Sequence, residues 1–83
     1  DPYIMDSMGW VEYRMGQLDS AKELLSDAYL VNGDVEIAAH LGEVLWELGE
    51  VENARSVWSE ATEVNADNPI LLETLQRYPL SAD

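Results

Sequence analysis

The chain repeats a pattern of small and bulky residues at an offset of 33 positions. Gly9 recurs as Gly42 and Ala21 recurs as Ala54, while bulky apolar residues return on bulky apolar residues. Stacked helical hairpins need such a pattern, because each unit buries its face against an equivalent neighbour. The repeat therefore predicts an all-α solenoid, which is a scaffold for binding rather than an enzyme. The small positions expected to pack between helices are Gly9, Ala21, Ala28, Gly42, Ala54 and Ala61.

Short polar breaks divide the chain into five predicted helices. The first opens at Asp1-Pro2, where the aspartate caps free N–H groups and the proline suits the first turn. It ends at Gly16, because glycine adopts the left-handed conformation of a helix C-terminus without strain. The second opens at Ser20 in a capping box with Glu23, or with Asp19 as an alternative cap.

The third and fifth helices have clear start signals. Asp34 caps a helix from about Val35 to Leu48, and Asn68-Pro69 opens a helix that runs to about Tyr78. Short breaks make successive helices antiparallel neighbours. The chain starts without an initiator methionine, and we expect it to be a fragment of a longer protein. The predicted organisation is repeat one at 2–34, repeat two at 35–68, a capping helix at 69–78 and a frayed tail at 79–83.

The charge balance is strongly acidic, with 17 Asp and Glu against 4 Lys and Arg and a formal net charge of −13. The cations are scattered, so nucleic acid and anionic lipid are disfavoured as partners. Three interpretations of the acidity stay open: a solvated outer face, adaptation to salt, or selection toward a cationic partner. The chain has no cysteine and no apolar run of about 20 residues, so neither a disulfide framework nor direct membrane insertion is expected.

Two sets of residues follow one motif of bulky and small positions. The first set is Met5, Met8, Gly9, Ala21, Leu25 and Ala28, and the second is Ala38, Leu41, Gly42, Leu45, Ala54, Trp58 and Ala61. This motif resembles the tetratricopeptide repeat, a helix-turn-helix unit of about 34 residues. The resemblance implies a right-handed α-solenoid of two units plus a capping helix. The departures are the shorter offset, Glu12 at a position that is usually aromatic, and Gly33 and Ala66 in place of a terminal proline.

Three stretches are more particular within that family. They are Asp6-Ser-Met-Gly-Trp10, the segment from Ala38 to Trp46, and the ending Asn68-Pro-x-Leu-x-Glu-Thr-Leu. They are similar to the C-terminal repeats of proteobacterial outer-membrane lipoproteins, some of which serve as adaptors for periplasmic carboxyl-terminal processing proteases. The resemblance implies a periplasmic parent protein and an adaptor role. The residues themselves leave the compartment open, the cytoplasm included.

In tetratricopeptide proteins the first helix of each pair lines a concave groove, and the resemblance implies a partner-binding groove here. Its aromatic and acidic side chains would suit a peptide with apolar anchors and basic flanks. Alternatively, the aromatics pack against a further repeat, and the segment caps a longer array or forms a homodimer contact. The expected groove residues are Tyr3, Asp6, Trp10, Tyr13, Ala39, Glu43, Trp46 and Glu47.

The sequence gives little support for a metal site, a catalytic site or a phosphate-binding site. His40 and Glu43 form an i, i+3 pair, but zinc sites need three or four protein ligands. The carboxylates at Glu43, Glu47, Glu50 and Glu52 lie on helix faces and a turn, unlike a calcium loop. No catalytic triad or phosphate-binding glycine loop occurs, and an acidic groove would repel the carboxylate tails that some relatives bind. We therefore predict a noncatalytic protein-interaction scaffold without a metal or cofactor.

Overall fold

The computed structural model describes residues 1–78, and over this range the fold is all-α, as the repeat predicts. Residues 79–83, which the sequence predicts as a frayed tail, lie outside the described residues. The helices form two antiparallel hairpins followed by one further helix. They are α1 (Pro2–Arg14), α2 (Leu18–Val31), α3 (Val35–Glu47), α4 (Val51–Val64) and α5 (Pro69–Arg77).

Side-chain caps open the first helix of each hairpin and also α5. Asp1 and Asp34 each accept a hydrogen bond at 2.8 Å from the backbone N–H two residues further on. Asn68 accepts two such bonds from the first turn of α5. Each cap satisfies N–H groups that a helix leaves without an internal partner. The three start signals predicted from the sequence are confirmed.

The start of α2 differs from the prediction. The helix begins at Leu18, so Asp19 and Ser20 lie inside its first turn and neither caps it. The reason is the tight turn after α1. Gly16 has a φ of +83°, and the N–H that follows it donates to the carbonyl of Glu12 at 2.8 Å. The chain has then already reversed, and the next helix begins at once. The equivalent glycine after α3 has a φ of +87°.

The core is built around Trp58, whose side chain is fully buried. Its indole lies against Gly42, where an added Cβ would come within 2.1 Å of the indole nitrogen. That nitrogen donates a hydrogen bond to the carbonyl of Ala39 at 3.3 Å. Because Gly42 has no side chain, α4 approaches α3 closely enough to bury the ring. The other large, fully buried side chains are Leu25, Ile37, Val44 and Leu71.

Polar contacts tie α2 to the second hairpin. The Nζ atom of Lys22 lies 2.7 Å from a carboxylate oxygen of Glu50, and the hydroxyl of Tyr29 donates to Glu60 at 2.8 Å. α2 also packs on α3, and α5 packs on both α3 and α4. The second hairpin therefore contacts α2 on one side and α5 on the other.

Candidate functional site

Four side chains meet where α1 lies beside α3, and we call Asp6, Trp10, Tyr13 and His40 the α1/α3 cluster. The Trp10 ring stacks on Tyr13 with ring centroids 4.9 Å apart, and on His40 with centroids 4.2 Å apart. An oxygen of Asp6 lies 2.8 Å from Nδ1 of His40. All four side chains are partly buried. The cluster therefore offers a row of flat rings with one carboxylate beside it.

Glu43 on α3 is 3% exposed, and a cation from α5 matches its charge. Nη2 of Arg77 lies 2.8 Å from a carboxylate oxygen of Glu43. Burial, together with the nearby negative charge of Glu43, raises the pKa of both Tyr13 and Tyr78 above the usual value for a phenol. The raised pKa values mean that the protonated form of both hydroxyls is favoured beside Glu43. Side chains from α1, α3 and the end of α5 thus interact around one buried carboxylate.

Trp46 is covered by neighbours on several sides. Its ring centroid lies 5.8 Å from that of Trp58 and 5.5 Å from that of Tyr78. The guanidinium carbon of Arg55 lies 5.9 Å from the same ring, within the range of a cation–π contact. The Tyr78 hydroxyl donates to Glu47 at 3.1 Å. These contacts cover part of the Trp46 ring, which the sequence predicts to face a partner.

The predicted groove residues divide into accessible and buried ones. Ala39 is fully buried and Glu43 nearly so, and we therefore leave both out of the surface proposed for a partner. Tyr3 is 54% exposed, although its hydroxyl donates to Asp34 at 3.1 Å. The groove residues that keep accessible surface are Tyr3, Asp6, Trp10, Tyr13, Trp46 and Glu47.

The six small residues predicted to pack between helices all lie in the interior. Gly9 is buried against Leu25, as Gly42 is against Trp58. The alanines contributed by α2 and α4 are at most 2% exposed. They are Ala21, Ala28, Ala54 and Ala61.

Arg77 and Tyr78 contribute to this region although the sequence did not single them out. Arg77 lies 34 positions after Glu43, and Asn68 lies 34 positions after Asp34. Aligning α5 with α3 by their caps therefore places Arg77 in register with Glu43. If α5 is regarded only as a capping helix, its equivalence to α3 at an offset of 34 is missed.

The carboxylates at the turn after α3 are paired with cations. Glu50 accepts hydrogen bonds from Lys22 and Asn53, and the bond from Lys22 is the main reason that the pKa of Glu50 is lowered. Glu52 accepts a hydrogen bond from Arg55 at 2.7 Å. Within residues 1–78, no three His, Asp or Glu side chains are grouped so that they could hold a metal ion.

Comparison with known proteins agrees with a helical repeat, although no family model matches the chain. A TPR repeat-containing protein of Pseudomonas aeruginosa is 54% identical over 43 residues, which are 52% of this chain and 7% of that relative. The chain thus matches a small part of the relative's length, and the similarity supports the tetratricopeptide repeat family. The handedness of the solenoid and the likeness to outer-membrane lipoproteins stay predictions. None of the helices in the described range is long and apolar enough to cross a membrane.

Proposed function

We propose that the chain is a noncatalytic protein-interaction module and that the α1/α3 cluster is its contact surface. The observation that carries the proposal is the stack of Tyr13, Trp10 and His40, which stays partly accessible beside the Asp6 carboxylate. Aromatic rings give a large contact area and are frequent anchors of protein interfaces. The helical repeat shared with the relative supports a scaffold role.

The proposed partner is a protein segment with an apolar anchor and basic flanks. Glu36 and Glu47 are exposed on α3, and their spacing of four and seven residues from His40 puts them on its side of the helix. With a net charge of −13, the chain as a whole attracts cationic partners. Exposed carboxylates at the rim of an interface mainly steer a basic partner and make its binding depend on salt.

A pulldown with the full-length protein, with and without residues 1–83, tests the module as a whole. The paired charge reversal Glu36→Lys with Glu47→Lys then tests the surface, and should weaken partner binding about tenfold, at somewhat under 1 kcal/mol per charge. The control reverses two exposed charges elsewhere, Glu63→Lys with Asp67→Lys. An unchanged set of partners after deletion would refute the module, and an equal loss in the control would refute the surface.

Trp10 and Trp46 separate partner contact from internal packing. Trp46→Ala removes a ring packed on Trp58 and Tyr78, and should cost about 3 kcal/mol of unfolding free energy. Trp10→Ala loses two stacked neighbours and should cost about 1–2 kcal/mol, but it should abolish partner binding. Urea unfolding and the pulldown give the two readouts. Undiminished binding by Trp10→Ala would contradict the proposed contact.

A structural role is the second candidate, and the way α5 seals the second hairpin favours it. Leu71 is fully buried, and Arg77 neutralises the buried Glu43. In that role the segment caps a longer array, or forms a homodimer contact, while ligands bind elsewhere. Deleting residues 69–83 from the full-length protein would then lower its melting temperature without changing its partners. A concentration-independent monomer in sedimentation would exclude the homodimer form.

The envelope adaptor role remains a proposal from the resemblance alone.

A further inference from the structure

His40 contacts two other members of the α1/α3 cluster and is the single histidine of the chain. Its Nδ1 atom lies 2.8 Å from an oxygen of Asp6, and the side chains of His40 and Asp6 are 20% and 15% exposed. Its ring stacks on Trp10 with ring centroids 4.2 Å apart. The imidazole therefore touches both the carboxylate and the aromatic ring that the proposed function offers to a partner.

Protonation of His40 changes the charge at this place and keeps its contacts. Beside a carboxylate, a neutral imidazole carries its proton on Nδ1 and donates it to Asp6. The imidazolium donates the same hydrogen bond and carries a positive charge, which cancels the negative charge of the carboxylate. A cation over the face of a tryptophan is favourable, so the stack with Trp10 is compatible with the charged ring. The geometry therefore serves both protonation states, and the electrostatics differ between them.

Histidine is the side chain whose charge changes most readily near neutral pH. Its ordinary pKa is about 6.5, whereas that of a carboxyl group is about 4. A fall from about pH 7.5 to about pH 5.5 therefore protonates an ordinary histidine and leaves ordinary carboxylates charged. Because the chain has one histidine, a change in binding between these two pH values is assigned to a single side chain.

Carboxylates outnumber cations on the side of α3 that carries His40. α2 and α4 meet α3 at Leu41 and Leu45, which lie on a different side of that helix. Arg77 is paired with Glu43 at 2.8 Å, so its charge is already matched. A basic partner is attracted to this face while the imidazole is neutral, and a positive charge on the ring reduces that attraction. The charged side chains that the helix register places on this face are Asp6 and Arg14 of α1, Glu36, Glu43 and Glu47 of α3, and Glu73 and Arg77 of α5.

We propose that His40 makes partner binding at the α1/α3 cluster sensitive to pH. While His40 is neutral, the Asp6 carboxylate attracts a lysine or arginine of the partner, and after protonation the imidazolium competes with the partner for that carboxylate. The inference rests on the proposed function, because it needs the cluster to be the contact surface. Affinity should be about three- to fivefold lower at the lower pH, which is the size expected for one partly screened charge pair.

A peptide probe tests this pH dependence. It is selected on the whole chain at the higher pH, from a library of histidine-free peptides with apolar centres and basic ends. Peptides that bind the Trp10→Ala variant equally well are discarded, so that the probe reports on the cluster. The amino termini of the chain and the peptide are acetylated, because an α-amino group also titrates in this range. Fluorescence anisotropy gives the dissociation constant at each pH, and circular dichroism checks that each variant is folded.

His40→Gln removes the titrating ring and keeps a hydrogen-bond donor at this position. Whatever its affinity at the higher pH, this variant should bind the probe equally at both pH values. The matched control is His40→Gln with Glu63→His, which carries one histidine at an exposed position of α4 and should also be insensitive to pH. In the parent chain, affinity should fall over the pH range in which NMR shows the His40 ring protons to titrate. The loss should also shrink at high salt.

Several results would overturn the inference. They are equal or tighter binding by the parent chain at the lower pH, a pH dependence that persists in His40→Gln, the same dependence in the Glu63→His control, and a loss that salt does not reduce. If the probe binds the parent chain and fails to bind Trp10→Ala, the contact surface stands whatever the pH dependence. If no peptide depends on Trp10, the proposed contact surface itself fails, and this inference falls with it.

Discussion

Replacing Gly42 with alanine tests how closely α3 and α4 must approach. A Cβ at this position would lie 2.1 Å from Nε1, 2.4 Å from Cε2 and 2.7 Å from Cδ1 of Trp58. Favourable contacts between carbon atoms are about 3.5–4 Å long, so the overlap exceeds about 1 Å. The ring is rigid and fully buried, and moving it would stretch its hydrogen bond to the carbonyl of Ala39. The two helices must therefore separate or the indole must leave its site.

Three contributions set the size of the effect. Overpacking of a well-filled core costs about 1–3 kcal/mol. Loss of the buried indole hydrogen bond costs about 1–3 kcal/mol more. Alanine regains about 1 kcal/mol over glycine as a helix former. We expect Gly42→Ala to lower the free energy of unfolding by about 3 kcal/mol and the melting temperature by roughly 12–24 °C.

Gly9→Ala is the matched control, because Gly9 holds the same place in the first hairpin. The nearest atoms to its added Cβ would be Cγ and Cδ2 of Leu25, at 2.8 and 3.2 Å. A leucine side chain can shift where an indole cannot, so the loss should be below about 1 kcal/mol. Urea unfolding followed by circular dichroism measures both variants. Equal stabilities of the two variants, or a larger loss for Gly9→Ala, would refute the packing described around Trp58.

Three further changes test polar groups. Arg77→Met leaves the buried Glu43 carboxylate without its cation and should cost about 1–3 kcal/mol in urea unfolding. Adding Glu43→Gln to Arg77→Met should recover part of this loss. No recovery would contradict the coupling between Arg77 and Glu43. Asn68→Ala removes the cap of α5 and should cost about 1 kcal/mol, so an unchanged urea midpoint would argue against the cap. Burial and the hydrogen bond to Glu60 raise the pKa of Tyr29 from 10.0 to about 12, which favours the neutral phenol in the folded state. This stabilisation is complete below about pH 10 and is lost as the pH rises toward 12, so Tyr29→Phe should flatten the fall of the urea midpoint over that range. If the urea midpoint falls equally in the parent chain and in Tyr29→Phe, the raised pKa of Tyr29 is refuted as the cause.

Repetition made the hairpins predictable, because equivalent positions must meet equivalent neighbours. Gly9, Gly42 and the alanines that recur at the offset of 33 indicated where helices approach, and these residues are buried. The pattern did not indicate that the Trp58 ring fills the space beside Gly42. A repeat identifies which positions are alike, whereas the partner of a side chain across two helices depends on the angle and distance between them.

The candidate site was harder to predict from the sequence. The spacing of residues along the third helix predicts that Glu43 lines an accessible groove. However, α5 packs on α3 and supplies Arg77, and Glu43 is only 3% exposed. Met8 shows the opposite effect. Its place in the repeat motif predicts packing, yet it is 51% exposed, because no helix in the described range covers that side of α1. Exposure depends on neighbours that the local pattern does not contain.

One helix position changes its chemistry along the array, and this difference supports the proposed α1/α3 contact surface. Nine residues after the caps of α1, α3 and α5 stand Trp10, Glu43 and Arg77. The anion and the cation are adjacent and neutralise each other at 2.8 Å, so the α5 end of the face is closed. Trp10 has no such partner and stays partly accessible beside Asp6. A basic ligand that approached Glu43 would have to displace Arg77 from a carboxylate whose side chain is only 4% exposed, which is costly. Under the proposed function, a basic ligand would therefore approach from the α1 end, and the exposed Glu47 rather than Glu43 would be the α3 carboxylate that meets it.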